Sequence, residues 1–174
     1  MVVHNPNNWY VLLFANHLKQ KNPSLLLTFL PRHWIDKNCL PWSKEYFQVN
    51  IIDTTYEDEQ YKFQITSIDS VSGDCDVTQR KGKVLCIYDM KLKFLLSGNI
   101  KKDGESESEK ITATIVIPEF VHDQDEDEYV FEIDSNDNKA EIRKFFIPVL
   151  RTKLMKFQPD LLEAHAKDVQ HATD

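Results

Sequence analysis

Three cations surround one glycine in the run Gln79-Arg80-Lys81-Gly82-Lys83. Glycine reaches the backbone conformations that tight turns need, so the run predicts a turn presenting Arg80, Lys81 and Lys83 together at the end of a sheet. On composition alone, a solvated hairpin turn accounts for it. Its functional counterpart is a basic finger for an acidic protein surface, where charges steer approach and set orientation. Just upstream, Cys75 lies between Asp74 and Asp76. Neighbouring carboxylates raise a thiol pKa, so Cys75 reads as a small apolar residue at a strand start and not as a nucleophile.

Other chemistry is sparse. His4, His17, His33, His122, His165 and His171 are scattered, and no two stand at an HExxH spacing. The three cysteines, Cys39, Cys75 and Cys86, make no CxxC pair, which predicts neither a zinc site nor a disulfide framework. The four glycines form no phosphate-cradling loop. The acidic run from His122 to Glu128 invites calcium but lacks the central glycine of an EF-hand loop, so a solvated connection is favoured. The expectation is therefore a protein with no catalytic residues, no cofactor and no metal. A net charge of −7 argues against nucleic-acid or anionic-membrane partners. No charged-then-apolar leader follows Met1, which makes a reducing cytoplasmic location the expectation, with a monomer when free.

The elements that must carry the basic run follow from periodicity. Ser43–Val49 predicts a helix, with Pro41 just before it and Trp42, Tyr46 and Phe47 at helical spacing. Tyr61, Phe63 and Ile65 alternate with Lys62, Gln64 and Thr66, predicting a strand over Tyr61–Gly73. From Lys83 to Ile100, Val84, Cys86, Tyr88, Met90, Leu92, Phe94 and Leu96 share one face; Leu85, Ile87 and Leu95 interrupt the polar one. Lys110–Phe120 and Glu128–Asp134 supply further strands, and Pro118 should end a ladder or sit at an edge. From Lys139 onward, Ile142, Phe145, Phe146, Val149, Leu150, Leu154, Phe157, Leu161 and Leu162 recur at helical steps, with Pro148 and Pro159 as dividers. The fold class is α+β: a meandering antiparallel sheet of about four strands, an N-terminal helix, and a long C-terminal amphipathic helix packed on the sheet. One domain spans residues 1–174.

Four stretches together carry a family resemblance: Asn5-Pro-Asn-Asn-Trp9 with His33-Trp34-Ile-Asp-Lys-Asn38, Trp42-Ser-Lys-Glu-Tyr-Phe47, the Gly73–Lys83 run, and Ile117-Pro-Glu-Phe120. In this combination and order, the chain resembles the N-terminal domain family of activators of the heat-shock protein 90 ATPase. The tail Asp160–Gln170 looks like that of the short, single-domain fungal member. The resemblance implies a co-chaperone without a reaction of its own. It would bind the middle segment of the chaperone dimer, or that segment together with its N-terminal domain, modulate its ATPase cycle and support client folding. It implies chaperone binding by Asp74, Arg80, Lys81, Gly82 and Lys83, the turn reshaping the chaperone's catalytic loop. It implies a nucleotide-cycle role for Asn5, Asn7, Asn8, Trp9, His33 and Trp34. The competing class is a helix-over-sheet module holding a ligand or lipid in a large apolar cavity.

Tyr10–Arg32 separates the two parts of the first motif. Its apolar runs, Tyr10–Ala15 and Leu25–Leu30, fall short of the ~18 consecutive apolar residues of a transmembrane helix. The codons offer another origin. Trp9-Tyr10-Val11 can be written TGG-TAT-GTN, which contains the fungal 5′ splice signal GTATGT. Leu26-Leu27-Thr28 can be written TTA-CTA-ACN, which contains the branch-point string TACTAAC, and Arg32 as AGG would end an intron in AG. Excision would restore Asn5-Pro-Asn-Asn-Trp-His-Trp-Ile-Asp-Lys-Asn. The segment is expected to be a translated, unspliced intron, irregular, loosely packed, or helical without close contacts.

Overall fold

The structure, a computed structural model, describes residues 36–101, 108–135 and 138–169. Asn5, Asn7, Asn8, Trp9, His33, Trp34 and the segment Tyr10–Arg32 lie outside the described residues.

Strand β1 (Asp36–Asn38) leads into helix α1 (Leu40–Asn50). The Asn38 side chain accepts a hydrogen bond from the Leu40 amide at 2.9 Å. Pro41 lies inside the first turn, where a helix needs no N–H from it. The helix therefore starts earlier than the expected Ser43. Strands β2 (Thr55–Glu57), β3 (Tyr61–Arg80), β4 (Lys83–Lys101), β5 (Ser108–Val121) and β6 (Glu132–Ser135) follow. The sheet runs β1-β3-β4-β5-β6, with β2 also on β3, and every pairing is antiparallel.

The α+β class and the helix packed on an antiparallel sheet are as expected, with two differences in strand count and length. The short strands β1 and β2 add to the sheet, and β3 runs unbroken past Gly73 to Arg80. Gly73 has φ +117°, and a Cβ there would lie 2.2 Å from the Asp89 backbone oxygen. It is thus a point of close strand approach and not a terminus. Pro118 sits within β5, where pairing jumps from Leu92↔Ile117 to Met90↔Phe120. The bulge removes the ladder position that a proline cannot fill. Tyr129 and Phe131, expected in the last strand, precede it and are buried.

The C-terminal helical run is divided. Helix α2 (Lys139–Glu141) passes through a π-helical turn at Ile142–Phe146 into α3 (Ile147–Leu154), and α4 (Phe157–Val169) follows. Pro148 and Pro159 both occupy first turns. A proline ring crowds the carbonyl four residues back, and the widened π turn before Pro148 is a way to relieve it.

Phe157 organises the space between helices and sheet. Its ring lies 4.9 Å from Phe47 of α1, 5.1 Å from Tyr88 of β4 and 5.6 Å from Phe120 of β5, centroid to centroid. Phe47, Phe94, Phe120 and Phe157 are fully buried. Tyr46 anchors the seam by donating its hydroxyl to Asp160 at 2.6 Å. Lys37 on β1 donates to Asp168 on α4, and that contact holds the Asp168 carboxyl below the ordinary range.

Candidate functional site

The basic run closes the β3–β4 hairpin. Arg80 pairs with Lys83, leaving Lys81 and Gly82 as a two-residue loop. Their φ angles are +49° and +78°, the sign that a type I′ turn demands at both central positions. Such turns match the strand twist, which is why so short a connection closes so long a hairpin. Glycine meets the requirement at Gly82 without strain. A lysine at positive φ pays for its place, and Asn or Gly would be the relaxed choice at position 81.

Among the described residues, this hairpin outreaches the sheet. Pairing with β5 stops at Asp89↔Val121, and β1 flanks only Asp76–Thr78. The end of the hairpin is therefore an arm tipped by Lys81 and Gly82, both exposed. Alternation along β3 and β4 places Asp74, Asp76 and Arg80 on the outer face with Lys83, Leu85, Ile87 and Asp89. The inner residues Cys75, Val77, Cys86 and Tyr88 join the core.

Asp74 stands directly opposite Asp89, a like-charge pairing that opposes strand association. The Asp76 carboxyl is pushed up, first by burial and then by Asp74 and Asp36. Leu85 is 42% exposed and Ile87 40% exposed. Their pairing partners are Thr78 and Asp76. One face of the arm thus carries cations at the tip, two aliphatic side chains behind them, and carboxylates at the base.

The structure brings Asp74, Arg80, Lys81, Gly82 and Lys83 onto one hairpin. Leu85 and Ile87 join them on its outer face, and sequence reading gave these no role. Their signal was the interruption of an otherwise polar face by aliphatic residues beside the basic turn. The thiols offer no competing chemistry. Ser43 donates its hydroxyl towards Cys75 Sγ at 3.3 Å, yet burial pushes the Cys75 thiol up to about 12. Burial likewise raises Cys39 and Cys86. No helix among the described residues is long and apolar enough to cross a membrane.

Comparison with known proteins converges on one family. The family described as "Activator of Hsp90 ATPase, N-terminal" matches residues 36–165. The chain is 34% identical over 181 residues to the Hsp90 co-chaperone AHA1 of Saccharomyces cerevisiae, covering 98% of this chain and 44% of that one. It is 33% identical over 177 residues to the Hsp90 co-chaperone HCH1 of the same yeast, covering 98% of this chain and 99% of that one. It therefore spans less than half of the first relative and nearly all of the second. In fold, it is similar to the crystal structure of Aha-1 from Plasmodium falciparum, with a TM-score of 0.61 and 24% identity over 76% of this chain and 91% of that one. The chain belongs to the family of N-terminal domains of activators of the Hsp90 ATPase.

Proposed function

We propose that this protein is a cytoplasmic co-chaperone that binds the middle segment of the Hsp90 dimer and stimulates its ATPase cycle, acting as a regulator with no reaction of its own. The observation that carries this is the arm: three cations held at an I′ turn beyond the sheet, with Leu85 and Ile87 exposed behind them. An arm of this kind reaches into a partner's surface. The cations supply charge-assisted contacts to carboxylates or backbone carbonyls, and the aliphatic pair supplies area to bury. A partner shifts a loop equilibrium only by its differential affinity for the two loop states, so contacts made to the active loop state alone raise turnover. Asp74, at the base, fixes orientation through a cation on the chaperone. The element containing Asn5, Asn7, Asn8, Trp9, His33 and Trp34 acts on the chaperone's nucleotide cycle, through its N-terminal domain.

The test uses purified chaperone and measures ATP turnover against co-chaperone concentration. Asp74→Lys, and separately Arg80, Lys81 and Lys83 all changed to Gln, should each weaken half-maximal stimulation about tenfold or more, the effect of losing ~1.4 kcal/mol of contact. Thermal melts should stay near wild type, because all four positions are at the surface. Full stimulation by either variant would remove the site from this role. The ligand-holding alternative needs open space between helix and sheet, and the buried rings around Phe157 occupy that space.

A further inference from the structure

We propose that an extended segment of the chaperone adds as a strand to the edge of β4 between Lys83 and Ile87, which is open among the described residues, with its acidic end beside the basic turn. This rests on the Hsp90 binding proposed above and specifies its backbone geometry.

The edge is defined by where pairing stops. The last β4–β5 pair is Asp89↔Val121, and one more bond runs from the His122 amide to the Tyr88 carbonyl at 3.1 Å. From Ile87 to the turn, β4 pairs only with β3 among the described residues. In an antiparallel ladder, successive residues point their N–H and C=O groups to opposite sides. The Tyr88 carbonyl points towards the β5 side, so the amides and carbonyls of Cys86 and Val84 point the same way, where no strand lies among the described residues.

The opposite edge of the sheet is treated differently. There β1 covers Asp76–Thr78 and β2 covers Lys62–Gln64 of β3, and between them its register with β4 shifts between Ile65 and Ser67 and again between Ile68 and Ser70. Asp69, in the second irregularity, pairs with Lys93 at 2.9 Å. Bulges, charges and short covering strands are the usual protection of an edge against strand addition. Along the open part of β4, register with β3 is unbroken from Met90 to Lys83. No proline or bulge interrupts it, and between Lys83 and Ile87 the only charge is Lys83.

Strand addition also uses the exposed aliphatic pair. An added strand lies about 4.8 Å away, so alternate side chains fall beside Leu85 and Ile87 on the outer face. Charge sets the chemistry of the segment. Arg80, Lys81 and Lys83 mark one end of the edge; Asp123, Asp125, Glu126, Asp127 and Glu128 follow β5 at the other. The matching segment is about five residues long, acidic at the turn end, basic at the far end, and apolar at alternate positions between.

The test is amide hydrogen exchange at single-residue resolution, on the full chain alone and saturated with full-length Hsp90. Val84 and Cys86 amides should exchange readily in the free chain and slow at least tenfold in the complex. Val84→Pro, which removes one outward N–H at an edge position that tolerates proline, should weaken binding several-fold while the thermal melt holds. Unchanged exchange at Val84 and Cys86 in a saturated complex overturns the strand-addition geometry and leaves Hsp90 binding standing. Protection of both amides already in the free chain overturns it too, including protection that rises with protein concentration and so assigns the edge to a second copy. If the wild-type chain forms no Hsp90 complex at all, both proposals fall together.

Discussion

Asp76 carries a carboxylate that the fold makes harder to ionise, through burial first and the nearby Asp74 and Asp36 next. Raising the folded pKa above the ordinary Asp value of ~3.9 has a definite sign in stability. The folded state holds the proton more tightly, so stability falls as pH rises through the unfolded and then the folded pKa. The full cost is present at neutral pH. Asp76→Asn should therefore stabilise the fold at pH 7, by less than about 1 kcal/mol because the site is partly solvated, and so raise the melting temperature. Near pH 3, where Asp76 is protonated in both states, the gain should vanish. An equal gain at both pH values would assign the effect to something other than ionisation. A cost of this kind beside Asp74 fits a face arranged for a partner's cations and not for folding alone. At this scale, the cations were legible from composition and order, whereas Asp74 was singled out only through the family resemblance. The unfavourable Asp74–Asp89 opposition was not legible, since it depends on hairpin register.

The β3–β4 hairpin concentrates its demands at two places. At Gly73, only hydrogen fits against the β4 backbone; at Lys81, a side chain is held at φ +49° although an Asn would sit there more comfortably. Strain kept at a surface position is a mark of use. Lys81→Asn should accordingly stabilise the chain by up to about 1 kcal/mol while reducing ATPase stimulation, and thermal melts with parallel turnover assays check both directions. A variant that loses stability would show that the lysine stem packs in a way that outweighs its backbone cost. Alternation along β4 was readable because its inner face is continuously apolar and its outer face mostly charged. The extent of β3 was not, because Gly73 reads as a breaker wherever the neighbouring strand is unknown. The same applies to Pro118: a bulge that accommodates proline is a property of the pair of strands, not of either one.

At the scale of the whole molecule, the described core draws on residues from Cys39 to Val169, and Phe157 is where its parts meet. Phe157→Ala removes a ring shared by α1, α4, β4 and β5, and should cost about 3–5 kcal/mol. Against a total of roughly 5–15 kcal/mol, a denaturant titration would register that as a large fall in midpoint, and a loss under 1 kcal/mol would mean the aromatic cluster repacks. The family match begins at residue 36, after Tyr10–Arg32. We propose that the segment is a translated intron. A translated intron was never selected to agree with the rest of the fold, so its removal is expected to cost little stability. Two measurements then bear on one claim. The mature transcript should join the Trp9 codon to the His33 codon. The chain lacking residues 10–32 should melt within about 3 °C of the full chain, because at this size ~1 kcal/mol corresponds to about 2–4 °C. A transcript that retains the segment, together with a melting point several degrees lower once it is removed, would make Tyr10–Arg32 part of the protein and of its fold.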